Sequence, residues 1–437
     1  MAGYVANEGE NLSERTKEQM IVLFFLLLLA VAEVGGVLPA DIDEFVANNL
    51  GQGMATSFRD LVVRFPYLGE QKHSHHQLEL MAHRFVVAAK QARTWVKASS
   101  GVLPGVGVGV GVEAAAASEG AKKHPLLCVH FLMYSAALIE HVSRNIKSAE
   151  GWCTHWALVF FFGEEDLIRE FKEQQKSVIF AKLYRMNTAA EQPSTLTFVA
   201  KPLMYQSLKP LLGGYEHVWM LDVDISLQDF RFDDYFLLVR CLGALVSQPL
   251  IMGHSQSMPV LNRDFWNDEF PEWPHGFLSD PKRGSPVAVG YRYIEQQVPV
   301  FDAAFFAWFI DRAVAPLSES YKAMLETDWG LDDIWCRAAR EYAGIMKLGS
   351  SDPCGIVLST PLIHLGEKLQ NSSIQLKHSH SLGAHWRFHF AGFVMRLVIR
   401  EAFPHWFEWE IDDESLRTEN YTSFTKSQYK VYYRDQC

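Results

Sequence analysis

Two aspartates that directly follow an apolar run have the clearest potential for chemistry. Residues 218–221 are typical of a strand buried on both faces, and Asp222 and Asp224 follow it with one residue between them. In extended backbone, positions i and i+2 project to the same side, so both carboxylates can reach one ion. Hard oxygen ligands at this spacing suit Mn²⁺ or Mg²⁺. A helix start with Ser226 and Asp229 as a capping pair is the structural alternative.

The same pair of aspartates is also typical of a phosphatase of the haloacid dehalogenase type. In that chemistry Asp222 would be the nucleophile and Asp224 the general acid. That motif belongs on the first strand of its domain, whereas about a hundred residues of alternating strand and helix patterns precede Asp222 here. They leave room for a nucleotide-binding half, so the position favours a transferase that uses a nucleotide-diphosphate sugar over a phosphatase.

A second acidic segment, residues 328–335, combines an aromatic residue, a glycine and paired acids. A tryptophan face stacks on sugar rings, and glycine lets the backbone approach a ligand closely, so we assign Trp329 and Gly330 to substrate binding. Asp332, with Asp333 as its alternative, could accept a proton from an attacking hydroxyl and is the predicted catalytic residue. Acids also favour helix N-termini, so a capping role for Asp332 stays open.

His364 ends a predicted strand and loop about thirty residues further on. Imidazole is a ligand for borderline metals, so His364 could complete the metal site of Asp222 and Asp224 or contact a diphosphate. A lone histidine is more often a packing residue, which is the structural alternative.

Three spaced blocks resemble an uncharacterised eukaryotic domain-of-unknown-function family, common in plants and algae, that is grouped with A-type-fold glycosyltransferases. The blocks are Tyr215 to Ile225, Trp329-Gly330-Leu331-Asp332 and His364-Leu365-Gly366. The resemblance implies a three-layer Rossmann-like α/β domain of the GT-A type with a mostly parallel sheet. It implies a nucleotide-sugar donor and an unknown glycan, protein or lipid acceptor. It also implies that Lys201 faces the donor phosphates. A non-catalytic domain that binds glycans or partners is a further alternative.

From residue 124 onward, short apolar runs alternate with helical patterns, which is typical of an α/β domain. The predicted strands are Leu126–Met133, Trp156–Phe162, Ser177–Leu183, His217–Leu221, Pro249–Gly253, Gln297–Phe301 and Gly355–Leu358. The predicted helices are Ala136–Ile146, Glu164–Gln174, Ser194–Leu212, Asp233–Leu245, Ala303–Ala313 and Leu331–Tyr342. A Pro-, Gly- and Trp-rich stretch, Asn262 to Tyr293, is predicted to be a long ordered loop over a site.

The composition fits a globular enzyme. The chain has 437 residues, of which 49% are hydrophobic and 21% charged. Its net charge of −11 provides no electrostatic footprint for a nucleic-acid backbone, so no nucleic-acid partner is expected. Six scattered cysteines without a C-x-x-C pair disfavour both a structural zinc site and a disulfide-dense scaffold, and they leave the redox compartment open.

The amino-terminal region contains an apolar segment, residues 20–38, that predicts a signal anchor or a cleaved signal peptide. Arg15 and Lys17 precede it, while Asp41 and Asp43 follow it, which predicts a cytosolic amino terminus and a lumenal domain. The expected protein is a single-pass type II membrane protein of the Golgi or another secretory compartment, or a secreted protein if the segment is cleaved. A buried helix of a soluble protein is the alternative.

The predicted organisation follows from these patterns. It comprises a tail (1–19), the signal segment (20–38), a helical stem (39–101), a low-complexity linker (102–123), a glycosyltransferase-like catalytic domain (124–400) and a second tail (401–437). Two N-x-S/T sites, at Asn371 and Asn420, would be lumenal glycan acceptors in this arrangement.

Overall fold

The computed structural model describes most of the α/β region and the helices that precede it. The described residues are 40–64, 75–99, 126–133, 136–162, 164–184, 201–253, 286–291, 293–324, 330–349, 352–365, 382–406, 430–433 and 435. The predicted signal segment, the linker, Trp329 and the two glycan sites lie outside them. The chain divides into two compact units, Met1–Val86 and Val87–Cys437.

Among the described residues, three helices precede the α/β region: α1 (Ala40–Leu50), α2 (Gln52–Arg64) and α3 (His75–Ser99). The buried residues of α1 recur every four positions and form one apolar stripe. In the amino-terminal unit, the rings of Phe58 and Phe85 stack with their centres 5.0 Å apart. Within the described ranges, no helix is both long enough and apolar enough to cross a membrane.

The second unit is built on one sheet, which contains ten strands among the described residues. The strands are β1 (Leu126–Met133), β2 (Cys153–Phe162), β3 (Val178–Leu183), β4 (His217–Asp222), β5 (Ile225–Ser226), β6 (Val246–Gly253), β7 (Pro286–Gly290), β8 (Val300–Asp302), β9 (Cys354–His364) and β10 (Lys430–Tyr433). Their order is β10-β7-β9-β6-β8-β4-β1-β2-β3, and β5 pairs with β9.

The sheet is mixed but mostly parallel. β5, β7 and β8 run antiparallel to their neighbours, and the other seven strands share one direction. The predicted α/β class with a mostly parallel sheet is confirmed. The strands β5, β7 and β10 were not predicted, because each is short or lies in sequence without a clear alternation.

Helices cover both faces of the sheet. The α-helices that the structure describes here are α4 (Ala136–Ser148), α5 (Glu165–Gln174), α6 (Lys201–Leu208), α7 (Phe232–Leu242), α8 (Ala303–Phe309), α9 (Ala315–Met324), α10 (Trp335–Ile345) and α11 (Leu382–Ala402). Side chains of α4, α5 and α7 share one apolar cluster with alternate residues of the central strands. On the opposite face, Tyr205 of α6 contacts Phe131, and Trp335 of α10 contacts Phe301. The domain therefore has the predicted three layers.

Two of the predicted helix boundaries that differ from the structure have a local explanation. The helix predicted at Asp233–Leu245 ends at Leu242, because Gly243 adopts a left-handed conformation with φ 63° and its N–H caps the last turn. The helix predicted from Leu331 begins at Trp335. Residues 330–334 form a turn instead, and Gly330 has φ 106°.

Gly330, the first residue of this turn, has no space for a side chain. A Cβ atom there would lie 2.5 Å from Ile399 Cδ1, in addition to the strain of a positive φ. We expect Gly330→Ala to lower the free energy of unfolding by about 2 to 4 kcal/mol. Gly213→Ala is the control, because a Cβ there meets nothing within 4 Å. Equal denaturant midpoints for the two variants would contradict this account of the turn.

One disulfide joins two neighbouring strands, and another joins a helix to the sheet. Cys128 of β1 is bonded to Cys153 of β2, and Cys336 of α10 is bonded to Cys354 of β9. Cys241 is also disulfide-bonded. The second bridge fixes the start of α10 to the central sheet. It thereby also anchors the turn before that helix, residues 330–334, which we call the acidic turn.

Candidate active site

The site lies where the order of the parallel strands reverses. The chain runs from β1 outward through β2 and β3, then returns to place β4 on the other side of β1. Asp222 is the last residue of β4 and pairs in register with Phe131 of β1. Ligands of open α/β sheets bind in the crevice beyond the carboxyl ends of strands at such a reversal. Asp222 therefore lies at the edge where a ligand is expected.

The carboxylate of Asp222 is paired with a lysine. Lys201 is the first residue of α6, and its Nζ donates to Asp222 Oδ1 at 2.5 Å. The same Nζ lies 3.4 Å from the carbonyl oxygen of Gln296 and 5.8 Å from the ring centre of Phe131. The lysine predicted to face the donor phosphates thus lies at the strand reversal, directly beside the first aspartate.

Asp224 meets His364 instead. The chain turns after β4 into β5, which pairs antiparallel with the end of β9, so Ile225 lies opposite His364. The Leu365 N–H donates to the Asp224 carbonyl at 2.8 Å, which fixes the backbone at this point. His364 Nε2 lies 3.3 Å from Asp224 Oδ2, and both side chains are largely buried. Residues 140 positions apart in sequence therefore face each other.

This pair fits two neighbouring ligands of a small divalent ion. Ligands at right angles, each about 2.1 Å from an ion, are about 3 Å apart, close to the separation of Asp224 Oδ2 and His364 Nε2. The other imidazole nitrogen, Nδ1, is buried and has no hydrogen-bond partner among the residues that the structure describes. Asp222, the third predicted ligand, is turned to Lys201. Among the described residues, no group of three or more His, Cys, Asp or Glu side chains could hold a metal. Protein ligands alone thus supply two positions, and phosphates and water would fill the rest.

A buried polar network holds the backbone just after the aspartates. Asn145 of α4 donates from Nδ2 to the Ile225 carbonyl at 2.7 Å and accepts from the Leu227 N–H at 2.9 Å. His141 Nε2 lies 2.9 Å from the same Ile225 carbonyl. Asn145 Nδ2 is also 3.1 Å from His130 Nε2. Helix α4 therefore fixes the strand that positions Asp224.

Both histidines of this network are neutral at ordinary pH. Burial, together with the neighbouring His141, lowers the pKa of His130 to about 3. Burial also lowers the pKa of His141. Since a carbonyl can only accept, the proton of neutral His141 belongs on the nitrogen that faces Ile225. The network therefore holds the Ile225 carbonyl with neutral donors, from His141 and from Asn145.

Removal of Asn145 should lower both the stability of the fold and the affinity of Asp224 and His364 for a metal ion. In Asn145→Ala the buried N–H of Leu227 loses its acceptor, so we expect the free energy of unfolding to fall by about 2 to 3 kcal/mol. We also expect Mn²⁺ affinity to fall several-fold, because the backbone that carries Asp224 is less constrained. Ser143→Ala, on the same helix, removes only a bond to the Ile139 carbonyl and is the control. Unchanged unfolding of Asn145→Ala would contradict the role of the network.

The acidic turn before α10 is held by an unpredicted tyrosine. Asp332 Oδ1 accepts the Gly330 N–H at 3.1 Å, and Asp332 Oδ2 accepts the hydroxyl of Tyr293 at 2.6 Å. Ile334 occupies the N-cap position of α10, and no side chain caps the helix. Asp332 is therefore not a capping residue, and its carboxylate is oriented by a buried phenol.

Asp333 points to a different partner. Its Oδ2 lies 2.8 Å from Nε of Arg396 in α11, and its side chain is 2% exposed. Burial, opposed by the charge of Arg396 and aided by that of Asp332, raises the pKa of Asp333 to about 7. Burial, with the charge of Asp332, also raises the pKa of Tyr293 well above its ordinary value. Two adjacent acids thus lie in a water-poor pocket that also contains a phenol and an arginine.

The raised pKa of Asp333 predicts a pH-dependent stability. The folded state holds this proton up to about pH 7, whereas an unfolded aspartate releases it near pH 4. The folded state therefore binds more protons between these values, and the contribution of Asp333 to stability falls as pH rises through this window. The buried histidines act in the opposite direction, but they are common to wild type and variant.

We expect the unfolding temperature of wild type relative to Asp333→Asn to be higher at pH 5 than at pH 8. Asp311→Asn, which changes an exposed carboxylate paired with Lys209, should leave the difference independent of pH. The same pH dependence in Asp333→Asn and wild type would contradict the assignment.

A five-residue segment, residues 293–297, contacts Asp332 at one end and Asp222 at the other. At one end the hydroxyl of Tyr293 contacts Asp332. At the other end the carbonyl of Gln297 accepts the N–H of Asp222 at 3.0 Å. The Cα atoms of residues 293 and 297 can be at most about 15 Å apart, since four peptide units separate them. The backbone positions that contact Asp222 and Asp332 are therefore at most about 15 Å apart.

Several residues of the site were not predicted from the sequence, among them Asn145, Tyr293 and Arg396. A signal existed only for Tyr293, which ends the stretch that was predicted to be an ordered loop over a site. Asn145 and Arg396 lie on helices whose patterns contain no sign of function. Trp329 lies outside the described residues, so its predicted stacking role stays a prediction.

Comparisons with known proteins give distant structural likenesses only. No family model and no curated protein matches the sequence. Solved structures with similarity include GalNAc-T7 with UDP, GalNAc and Mn²⁺ (10% identity, 55% of this chain, 43% of that chain, TM-score 0.33). Another is the mannosyltransferase PcManGT from Pyrobaculum calidifontis in complex with GDP-Man and Mn²⁺ (13% identity, 75% of this chain, 83% of that chain, TM-score 0.32). A third is S. aureus TarS 1–349 (8% identity, 68% of this chain, 70% of that chain, TM-score 0.32). The chain spans less than half of the GalNAc-T7 chain. Likenesses at this level carry no argument about activity.

Proposed function

We propose that the protein is a glycosyltransferase of the GT-A type that transfers a sugar from a nucleotide-diphosphate donor to an unknown acceptor. The observation that carries the proposal is the pairing of Asp224 with His364, 3.3 Å apart, next to Lys201 and Asp222 at the strand reversal. Carboxylate and imidazole ligands with an adjacent ammonium group are suited to a divalent ion and a diphosphate. The acceptor would be a glycan, a protein or a lipid.

In this proposal Asp224 and His364 hold Mn²⁺ or Mg²⁺, and Asp222 contributes negative charge beside them. An ion held there would supply positive charge against the charge that develops on a departing diphosphate. Lys201 contributes a point charge to the same phosphates. The network of Asn145 keeps the backbone at Ile225 fixed, so little reorganisation is needed when the donor binds.

The acidic turn supplies the groups for the acceptor. Asp332 is oriented by the Tyr293 hydroxyl and the Gly330 N–H and would orient or deprotonate the attacking hydroxyl. Asp333 is the alternative, because a pKa of about 7 suits a general base, although it must first part from Arg396. Trp329, adjacent to Gly330 in sequence, would stack on a sugar ring.

The disulfides support the proposed compartment. Disulfides persist in oxidising environments and are rare in the cytosol. The bridges Cys128–Cys153 and Cys336–Cys354 therefore favour a lumenal or extracellular domain, in agreement with the predicted anchor at residues 20–38. A type II membrane protein of the Golgi or another secretory compartment combines these features, with Asn371 and Asn420 on the lumenal side. Mass analysis of the mature amino terminus would decide whether the segment is cleaved.

The experiment that tests the activity is donor hydrolysis across a panel of UDP-, GDP- and CMP-linked sugars with Mn²⁺, Mg²⁺ or EDTA. We expect release of nucleotide from at least one donor with metal and none with EDTA. Hydrolysis of an aryl phosphate instead would support the phosphatase alternative, with Asp222 as nucleophile. Absence of both nucleotide binding and turnover would leave the non-catalytic alternative.

A further inference from the structure

The two aspartates of the Asp-x-Asp motif have different partners, because Asp222 forms an ion pair with Lys201. Asp224 is turned to His364, while the Oδ1 atom of Asp222 accepts from Lys201 Nζ at 2.5 Å. The side chains of Lys201 and Asp222 are 15% and 25% exposed, so water screens their attraction only in part. One of the two carboxylates expected to bind the metal is thus engaged by a cation that belongs to the protein.

A lysine ammonium and a divalent cation compete when they share one carboxylate. Their charges have the same sign, and each is stabilised by the same oxygen atoms, so binding of either disfavours the other. Lys201 has a flexible side chain with a compact charge at its end. It could exchange partners without a change of backbone, since α6 fixes only its Cα position.

A nucleotide diphosphate would provide the alternative partner. Its phosphates would lie beyond the carboxyl ends of β1 and β4, where Phe131 and Asp222 flank the Lys201 ammonium. Ammonium groups form charge-assisted hydrogen bonds with phosphate oxygens. A phosphate at this place would therefore draw Lys201 away from Asp222 and leave that carboxylate to the metal.

We infer that Lys201 couples metal binding to donor binding. It neutralises Asp222 when the donor is absent and moves to the diphosphate when the donor binds, which adds Asp222 to the metal-binding groups. This inference rests on the proposed function. By thermodynamic linkage, the nucleotide then raises the affinity for Mn²⁺ by the same factor as Mn²⁺ raises the affinity for the nucleotide.

The distinguishing variant is Lys201→Met, which keeps the aliphatic length and removes the charge. Titration of Mn²⁺, followed by electron paramagnetic resonance of the free ion, should show about tenfold tighter binding to Lys201→Met than to wild type without nucleotide. UDP or GDP in the presence of Mn²⁺ should bind about tenfold more weakly. A lysine that only contacted phosphate would leave the metal affinity without nucleotide unchanged.

Three further variants isolate the effect. Lys201→Arg keeps the charge and should keep Mn²⁺ binding weak. Lys209→Met removes an exposed ammonium that pairs with Asp311, and it should change neither affinity. In an Asp222→Asn background, Lys201→Met should no longer alter Mn²⁺ affinity, because the carboxylate for which both cations compete is gone.

The result that would overturn the inference is a folded Lys201→Met protein, with the melting temperature of wild type, that binds Mn²⁺ as weakly as wild type or more weakly. That outcome would leave the proposed function intact as long as wild type binds Mn²⁺ and nucleotide. If wild type binds neither, the proposed function itself is contradicted, and the coupling is contradicted with it.

Discussion

Asp224→Asn is expected to lower metal-dependent hydrolysis of the sugar donor by about a thousandfold. Asp224 Oδ2 faces His364 Nε2, and removal of its charge deprives the metal of its one directly available carboxylate. An amide of nearly the same shape keeps the turn after β4 intact, because the backbone at Asp224 is held by the Leu365 N–H. Steady-state hydrolysis in excess Mn²⁺ measures the loss, and calorimetry measures the fall in Mn²⁺ affinity.

The matched control is Asp234→Asn on α7, which changes an exposed carboxylate paired with Arg231. It should keep the turnover of wild type. His364→Ala should lower Mn²⁺ affinity in the same direction as Asp224→Asn, with a smaller loss of turnover because a water molecule can replace imidazole. If Asp224→Asn and His364→Ala both bind Mn²⁺ as tightly as wild type, these residues do not form the metal site.

Asp332→Asn is expected to lower kcat of sugar transfer by a factor of about 10² to 10⁴, the usual contribution of a positioned general base. The KM for the donor should change little, because the hydrogen bonds of Asp332 go to Tyr293 and Gly330 and not to Asp224 or His364. Tyr293→Phe should cause a smaller loss of kcat, about tenfold, since it removes only the group that orients Asp332. The assay is transfer to the acceptor at saturating donor, once an acceptor is identified.

The comparison that decides between the two acids is Asp333→Asn. If Asp332 is the base, Asp333→Asn should retain most of the turnover of wild type, because it replaces a carboxyl that keeps its proton up to about pH 7 in the folded state. A larger loss of kcat in Asp333→Asn than in Asp332→Asn would reverse the assignment. Equal turnover of all three proteins would remove the acidic turn from the mechanism.

Much of the sheet could be predicted because buried parallel strands have a local signature. The run that ends at Asp222 is apolar throughout, and such a run between helical patterns is hard to place elsewhere than in a central strand. Burial of β4 up to its last residue agrees with this prediction. The strand boundaries at β1 and β3 were predicted to within a residue for the same reason.

The partners of the two aspartates could not be predicted, because tertiary pairing decides them. The expectation that Asp222 and Asp224 share one side treats the chain as extended through both residues. The strand in fact ends at Asp222, and a turn redirects the second carboxylate toward β9. That turn depends on Asn145, about eighty residues earlier in the chain, and no local pattern encodes such a contact.

The acidic turn shows the same limit. Its residue types indicated a site, but the periodicity of the following helix suggested that the acids belong to its first turn. Gly330, with its positive φ, ends that pattern and places Asp332 beside Tyr293, which comes from a segment 39 positions earlier. Spacing thus identified candidate residues, and the contacts that orient them required the structure.

The measurement that tests the metal site most directly is anomalous scattering from crystals grown with Mn²⁺ and UDP or GDP. We expect a manganese peak within about 2.5 Å of both Asp224 Oδ2 and His364 Nε2, with Lys201 turned from Asp222 to the diphosphate. A manganese peak elsewhere in the domain, or a bound nucleotide with no metal beside Asp224 and His364, would contradict it.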